Sequence, residues 1–237
     1  MRRKLQVLHS VIQPENKVIC DIGCGVGGFS FALLESKPKF IVGIDLRKEN
    51  LKKAKTLSQG YSNIDFIVSC AEALPVKEKV CDLALMIEVL EHVNNEDESI
   101  VQATKILKEN GTVFLTAPNK LYPFETHGMK ISQTFIRNIL GVGIPFLSWL
   151  PQKFREKVET SRIFTEKQLV DLLEKHGFII LKKDYMMPPL DLIRRERLKT
   201  VLRKVFGQIE SIPLLNRFGI HILLVARYTR QGHRGRC

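Results

Sequence analysis

The chain has 237 residues, 44% of them hydrophobic and 8% aromatic, which is ordinary for a globular domain with a sizeable core. Its 37 lysines and arginines outnumber 25 acidic residues, and the net charge of +12 favours an anionic partner such as lipid, nucleic acid or an acidic metabolite. No apolar run can span a bilayer, and the basic N-terminus lacks the apolar segment of a secretory signal. The five cysteines form no C-x-x-C pair. We therefore expect a cytoplasmic protein with reduced thiols.

Residues 18–28 are the most informative segment and read Val-Ile-Cys-Asp-Ile-Gly-Cys-Gly-Val-Gly-Gly. An apolar run followed by spaced glycines predicts a buried strand, a tight turn and the N-terminus of a helix. The backbone of such a turn can approach a ligand closely because Gly23, Gly25 and Gly27 have no Cβ. Gly23, Gly25 and Gly28 also satisfy the G-x-G-x-x-G pattern of dinucleotide sites.

Asp21 argues against a dinucleotide in this turn. A carboxylate two residues before the first glycine would lie near the pyrophosphate, and their repulsion in a partly dry crevice costs on the order of several kcal/mol. A ligand whose nearby end is cationic avoids this repulsion, so a nicotinamide or flavin oxidoreductase is disfavoured.

A second acidic residue ends the next predicted strand. Residues 40–46 read Phe-Ile-Val-Gly-Ile-Asp-Leu and place Asp45 about 20 residues beyond the glycines. A carboxylate there can accept hydrogen bonds from both hydroxyls of a ribose. Asp45 can also cap the helix predicted over residues 47–58, and the two roles are compatible.

The rest of the chain continues to alternate strands and helices, with Gly177 in the position that closes a helix. This alternation predicts a doubly wound α/β fold, a mostly parallel sheet with helices on both faces, in a single domain over residues 1–237. The further predicted strands are 63–70, 80–88, 111–118, 178–186 and 221–228, and the further predicted helices are 95–109 and 165–176.

Two sequence motifs resemble one enzyme family. Residues 21–27 match, position by position, the acid-x-Gly-x-Gly-x-Gly first motif of the class I S-adenosylmethionine-dependent methyltransferases. Residues 87–93, Ile-Glu-Val-Leu-Glu-His-Val, are similar to the segment after the fourth strand in ubiquinone- and menaquinone-pathway (type 11-like) members. The resemblance covers residues 15–118 well and 165–228 at the level of pattern. It implies a Rossmann-like sheet of seven strands with an antiparallel last strand, and S-adenosylmethionine as the cofactor.

The resemblance also implies roles for individual residues. Asp21 is expected to hold the methionine ammonium, Asp45 the ribose, and the backbone at residues 87–88 the methionine end. Where the family commonly has Asp beside the adenine this chain has Cys70, a much weaker acceptor, and the N–H of Ala71 can serve the ring instead. The cofactor-binding residues predicted in this way are Asp21, Gly23, Cys24, Gly25, Asp45, Leu46, Cys70, Ala71, Ile87 and Glu88.

Glu88 and His92 also admit a different interpretation. Their i,i+4 spacing would suit two metal ligands on a helix. No further convergent set of His, Cys or carboxylate residues is visible in the sequence, so we predict no metal site. Glu91 and His92 are then structural residues of the turn.

Two segments interrupt the alternation and are predicted to be insertions. Residues 119–164 follow the fifth strand and are expected to cap the acceptor pocket, with His127 as the candidate general base and simple loop hydrogen bonding as its alternative. Within them, residues 135–150 are apolar and can form a lid, contact a membrane interface or pack on the core. Residues 187–220 contain a basic amphipathic stretch that can lie on anionic lipid or present a solvated face.

Together these features predict methyl transfer to a small-molecule or lipid-like acceptor at oxygen or carbon, by a cytoplasmic protein with peripheral membrane contact as an option. The exit of the fifth strand, residues 117–119, reads Ala-Pro-Asn and lacks the Asn/Asp-Pro-Pro-aromatic motif of enzymes that methylate exocyclic amines or amides. The alternatives are an RNA or tRNA methyltransferase that uses the basic surface, and a non-catalytic S-adenosylmethionine-binding protein. The sequence does not indicate the oligomeric state.

Overall fold

The structure is a computed structural model that describes residues 1–125, 129–131, 134–136, 144–145, 162–187, 200 and 216–229. The chain forms two compact units, the first comprising Met1–Ala117, Lys167–Asp184 and Leu223–Cys237, and the second Pro118–Glu166 and Tyr185–Ile222. The prediction of a single domain with two insertions stays a prediction.

The described elements alternate along the first half of the chain as the sequence predicts. In chain order they are α1 (Arg2–His9), β1 (Val18–Ile22), α2 (Gly28–Leu34), β2 (Phe40–Asp45), α3 (Lys48–Leu57), β3 (Ile64–Val68), β4 (Cys81–Ile87), α4 (Glu96–Ile106), β5 (Leu107–Pro118), β6 (Phe124–Glu125), β7 (Met129–Ile131), β8 (Thr134–Ile136), β9 (Ile144–Pro145), α5 (Glu166–Lys175), β10 (Phe178–Met186) and β11 (His221–Tyr228).

One seven-stranded sheet has the order β10-β11-β5-β4-β1-β2-β3. Strands β3, β2, β1, β4 and β5 pair in parallel. Strand β11 runs antiparallel to β10, because the Ile220 N–H donates to the Met186 carbonyl at 2.7 Å and the Thr229 N–H donates to the Gly177 carbonyl at 2.9 Å. This mixed, mostly parallel sheet confirms the predicted fold class.

The strand order reverses between β1 and β4. From β1 the chain continues outward to β2 and β3, and then returns to add β4 on the other side of β1. In open α/β sheets, ligands bind outside the carboxyl ends of the strands at such a reversal. The fold therefore points to the carboxyl ends of β1, β2 and β4 as the place for a site.

Apolar runs form the central strands because these are covered on both faces. Residues Leu83, Ala84, Leu85 and Met86 of β4 are fully buried, and so are residues 222–226 of β11. A run without polar alternation is what the sequence shows at both places, and it explains why the two strands could be predicted.

Two predicted boundaries were wrong at the junction of α4 and β5. The helix predicted to residue 109 ends at Ile106, and the strand predicted from residue 111 begins at Leu107. Leu107 is fully buried and lies opposite Cys81, with a register irregularity before Leu83 pairs with Thr112. Pairing with β4 thus recruits residues whose local sequence favours a helix.

The second unit contains two small antiparallel pairs, β6 with β9 and β7 with β8. Asn119 organises another part of this unit, since its side-chain amide donates to the carbonyls of Arg217 at 2.8 Å and Gly219 at 2.6 Å. Its side-chain oxygen accepts from the Leu121 N–H at 3.0 Å. The Ala-Pro-Asn exit of β5 therefore serves backbone organisation here.

Among the described residues, no helix combines the length and apolarity needed to cross a membrane.

Candidate functional site

The turn between β1 and α2 has the backbone that the spaced glycines predict. Gly23 and Gly25 both adopt the left-handed conformation, with φ of 71° and 57°. The turn is fixed to the neighbouring strand, because the Cys24 N–H donates to the Ile44 carbonyl at 2.9 Å. A side chain at Gly23 would collide with Val89, whose Cγ2 lies 2.5 Å from the position of an added Cβ. Glycine at this position lets the segment after β4 close against the turn.

Asp45, at the end of β2, is held by three hydrogen bonds. Its Oδ2 accepts from the Gly25 N–H at 2.9 Å, and its Oδ1 accepts from the Arg47 N–H at 2.9 Å and the Asn50 side-chain amide at 3.3 Å. The N-cap residue of α3 is Arg47, two positions after Asp45, so the alternative role of Asp45 as that cap is not observed. A carboxylate has about four acceptor sites, and three are used here, so Asp45 keeps capacity for one further hydrogen bond from a hydroxyl of a ligand.

Asp21 is buried, with 2% of its surface exposed. The Ser30 hydroxyl donates to its Oδ2 at 2.5 Å. Burial raises the pKa of Asp21 from 3.8 to about 6; the Ser30 hydrogen bond opposes this rise and the charge of Asp45 adds to it. The charge of Asp21 is therefore sensitive to pH and to a nearby cation.

A cleft of about 470 Å³ opens at the carboxyl ends of β1, β2 and β4. Three acidic residues, Asp45, Glu72 and Glu88, line it together with one basic residue, Arg47. An excess of carboxylates suits a ligand with positive charge and disfavours a pyrophosphate. The lining residues are Gly23, Asp45, Leu46, Arg47, Asn50, Ser69, Cys70, Ala71, Glu72, Glu88, Val89, His92, Val93 and Asn94.

Most of the predicted cofactor-binding residues lie together in this cleft. Those that line it are Gly23, Asp45, Leu46, Cys70, Ala71 and Glu88, whereas Asp21, Cys24, Gly25 and Ile87 are not among its lining residues. Burial raises the pKa of the Cys24 thiol, and its sulfur lies 2.9 Å from the position that a Cβ on Gly43 would take. The Cys24 side chain is therefore packed against β2.

Glu88 lies at the end of β4 with a φ of 58°, which is left-handed for a residue with a side chain. Its N–H donates to the Thr116 carbonyl at 3.0 Å. Its carboxylate forms an ion pair with Lys4 of α1, and Lys4 is 8% exposed. Lysine is rarely buried to this extent without a charged partner.

The helix assumed for a metal site at Glu88 and His92 is absent, because residues 88–95 form turns and bends before α4 begins. The His92 N–H donates to the Val89 carbonyl at 2.9 Å within this turn. Within the described ranges, no three His, Cys, Asp or Glu side chains form a group that could hold a metal ion.

The candidate base His127 lies outside the described residues. Tyr122, its neighbour in the sequence, is buried, and burial raises the pKa of the phenol. Burial thus disfavours the phenolate form of Tyr122.

Sequence reasoning missed several residues of the cleft. Arg47 is the N-cap of the helix after Asp45 and Asn50 lies in its first turn, so their positions could have been inferred from that helix. The Glu72 carboxylate accepts from the Asn94 N–H at 2.8 Å and so connects the loop after β3 to the loop after β4. No local sequence pattern indicates this connection, because the two residues are 22 positions apart.

Known proteins resemble this chain in sequence. A family model described as a methyltransferase domain matches residues 13–179. A ubiquinone biosynthesis O-methyltransferase of Pelagibacter ubique is 30% identical over 173 residues, which cover 73% of this chain and 65% of that protein. The norajmaline N-methyltransferase of Rauvolfia serpentina is 26% identical over 199 residues, covering 72% of this chain and 68% of that protein. The chain thus spans less than two thirds of the length of the Pelagibacter relative.

A solved structure resembles the fold over nearly the whole chain. The S-adenosylmethionine dependent methyltransferase from Mesorhizobium loti superimposes with a TM-score of 0.65 and 18% identity, covering 94% of this chain and 96% of that chain. At this level of identity the likeness concerns the fold alone.

Proposed function

Because the chain belongs to the methyltransferase-domain family, we propose that it transfers the methyl group of S-adenosylmethionine to a small-molecule or lipid-like acceptor, at oxygen or carbon. The match over residues 13–179 confirms the family predicted from the motif at residues 21–27. One relative is named for O-methylation in ubiquinone biosynthesis and the other for N-methylation of norajmaline. Both names support a small-molecule acceptor for this chain.

The charge of the cleft is the observation that carries the proposal. S-adenosylmethionine has a sulfonium and an ammonium group and no phosphate. The cleft has more acidic than basic lining residues, even with Glu88 paired to Lys4, and so suits this ligand better than a dinucleotide. The volume of about 470 Å³ lies in the range of sites for ligands of this size. The left-handed glycine turn brings the backbone to the ligand without intervening side chains.

At one end of the cleft we assign the ribose to Asp45. Its carboxylate is fixed by Gly25, Arg47 and Asn50 and is aligned before any ligand arrives. Preorganisation of this kind lowers the entropy lost on binding. Leu46, Cys70 and Ala71 line the same end, and we assign them to the adenine.

At the other end we assign the methionyl group to the segment around Ile87 and Glu88. Asp21 is proposed to hold the ammonium, directly or through a water molecule. Its buried carboxylate, with a pKa raised to about 6, gains its charge most easily when a cation is near.

When bound, S-adenosylmethionine supplies a methyl group already activated on a positively charged sulfur. The protein then has to align the acceptor and exclude water. A hydroxyl acceptor also needs a base, and we propose His127 for that role. The acceptor pocket is assigned to residues 119–164.

Calorimetric titration tests the cofactor assignment. We expect the wild-type protein to bind S-adenosylmethionine and S-adenosylhomocysteine and not NADH. Asp45→Ala should weaken both adenosyl ligands by about 10- to 100-fold, because a hydrogen bond to a charged group contributes about 1.5–3 kcal/mol. Asp65→Ala is the matched control, since Asp65 is an exposed carboxylate on β3 that pairs with Lys55 outside the cleft.

Two results would contradict the assignment. Binding of NADH, or of neither adenosyl ligand, removes the basis for methyl transfer. Equal losses in Asp45→Ala and Asp65→Ala would mean that the ribose is bound elsewhere. Absence of turnover in a screen of phenolic, quinone-like and lipid acceptors, with binding intact, would favour a non-catalytic binding protein.

We also propose peripheral contact with an anionic membrane surface. The net charge of +12 supports an anionic partner, and a lipid-like acceptor would be reached from such a surface. The basic stretch in residues 187–220 and the apolar residues 135–150, on which this idea first depended, lie largely outside the described residues.

A further inference from the structure

The ion pair between Lys4 and Glu88 joins α1 to the cleft across 84 positions of sequence. The Lys4 side chain is 10% exposed, whereas the Glu88 side chain is 35% exposed and lines the cleft. One partner therefore faces the ligand space and the other is held behind it. An ion pair of this kind is screened by solvent less than a surface pair.

The backbone fixes the position of the Glu88 carboxylate. Glu88 has a φ of 58°, and its N–H is tied to the Thr116 carbonyl of β5 at 3.0 Å. Left-handed backbone at a residue with a side chain persists only where the surrounding structure imposes it, and such residues concentrate at functional sites. The left-handed backbone at Glu88 therefore sets the direction in which its carboxylate leaves the end of β4. A backbone with negative φ would direct the side chain elsewhere.

Glu88 and Asp45 lie on different sides of the glycine turn. Strand β1 separates β4 from β2 in the sheet, so the ends of β4 and β2 are about 10 Å apart. With the ribose at Asp45, which rests on the proposed function, the charged methionyl part extends toward β4. Glu88 is then the lining carboxylate on the methionyl side.

We propose that Lys4 is a positioning residue that sets how strongly the cleft prefers S-adenosylmethionine to S-adenosylhomocysteine. The two ligands differ by the methyl group and by one positive charge, which the sulfonium carries and the thioether lacks. Without the charge of Lys4 beside it, the Glu88 carboxylate attracts the cationic form in particular. Lys4 neutralises this carboxylate and so keeps the affinities for the two ligands close together.

The same helix provides a matched control. Arg3 donates from Nη2 to both carboxylate oxygens of Asp184 on β10, at 3.1 and 2.9 Å. This pair also fastens α1, but neither residue lines the cleft. Arg3→Met therefore loosens the helix without changing the charge beside the ligand.

The test is calorimetric titration of both adenosyl ligands into wild type, Lys4→Met, Lys4→Arg and Arg3→Met. Lys4→Met should shift the ratio of the two dissociation constants toward S-adenosylmethionine by about five- to tenfold, the effect of one screened charge at a distance of about 6–8 Å. Lys4→Arg should keep the wild-type ratio. Arg3→Met should keep it too, even if both affinities fall.

The double variant Lys4→Met/Glu88→Gln removes both charges of the ion pair, so it remains informative if Lys4→Met alone does not fold. Its ratio should return to that of wild type, and Glu88→Gln alone should shift the ratio toward S-adenosylhomocysteine. If Lys4→Met and Arg3→Met change both ligands by the same factor, or if Glu88→Gln leaves the ratio unchanged, the inference is overturned while the proposed function stands. If wild type binds neither ligand, both this inference and the proposed function are overturned.

Discussion

Asp21 shows how a single buried group makes stability depend on pH. Its pKa in the folded protein, about 6, lies above the ordinary value of 3.8, mainly because burial penalises the charged form. Between these two values the folded protein keeps the proton and the unfolded chain has lost it. Stability therefore falls as the pH rises from about 4 to about 6, by an amount on the order of 3 kcal/mol.

Asp21→Asn removes this dependence because an amide does not ionise. In the absence of ligand, we expect the variant to gain on the order of 2 to 3 kcal/mol relative to wild type between about pH 4.5 and pH 7.5. Urea unfolding at both pH values measures the gain. Asp65→Asn, which alters an exposed carboxylate, should gain nothing. Parallel pH profiles for wild type and Asp21→Asn would show that Asp21 ionises normally.

At the scale of the element, the strand–turn–helix unit formed by β1, the glycine turn and α2 has two glycines with different roles. One glycine matters mainly for stability, and the other matters mainly for access of the ligand. Gly23 has no room for a Cβ, because Val89 Cγ2 lies 2.5 Å away, whereas nothing lies within 4 Å of a Cβ built on Gly25. Both positions have positive φ, so any side chain there is strained by about 1–2 kcal/mol. Only Gly23 adds a collision to that strain.

We expect Gly23→Ala to lower the melting temperature clearly more than Gly25→Ala does. Gly25→Ala should cost about 1 kcal/mol of stability and still weaken the binding of S-adenosylmethionine, because its methyl group enters open space beside Asp45. Thermal unfolding and calorimetry on the two variants measure these effects. Equal melting temperatures would be inconsistent with the contact to Val89, and unchanged affinity in Gly25→Ala would place the ligand away from this turn.

The same element also shows what the sequence can reveal. The strands β1, β2 and β4 and the glycine turn are predictable because their signals are local: apolar runs, spaced glycines and an acid at the end of a strand. Helix α1 was not predicted, because its first turn is basic and one of its lysines, Lys4, is buried. The partner of Lys4 is 84 residues away, so no window of sequence contains the reason for its burial.

At the scale of the whole molecule, the net charge is the property that acts over the longest distance. A net charge of +12 creates a positive potential that attracts anionic surfaces at low ionic strength. The screening length falls from about 10 Å at 0.1 M salt to about 3 Å at 1 M, so an attraction of this kind weakens as salt is added.

Vesicle sedimentation tests this attraction. We expect the protein to bind vesicles of phosphatidylcholine that contain phosphatidylglycerol and to dissociate from them at high salt. It should not bind vesicles of phosphatidylcholine alone. A competing RNA oligonucleotide distinguishes the other anionic partner. Tighter binding to RNA than to the anionic vesicles would favour the alternative of a nucleic-acid substrate, and retention on neutral vesicles would indicate a hydrophobic contact.

Strand β11 lies between β5 and β10, although the chain reaches it after every other strand of the sheet. During synthesis, β5 and β10 must therefore wait with unpaired edges until residues 221–228 have left the ribosome. A nascent chain halted before that point presents the open edge of β5 and an unpaired strand β10, and such edges recruit other chains. Correct folding of this protein should for that reason depend on how quickly residues 221–228 are synthesised and pair with β5 and β10.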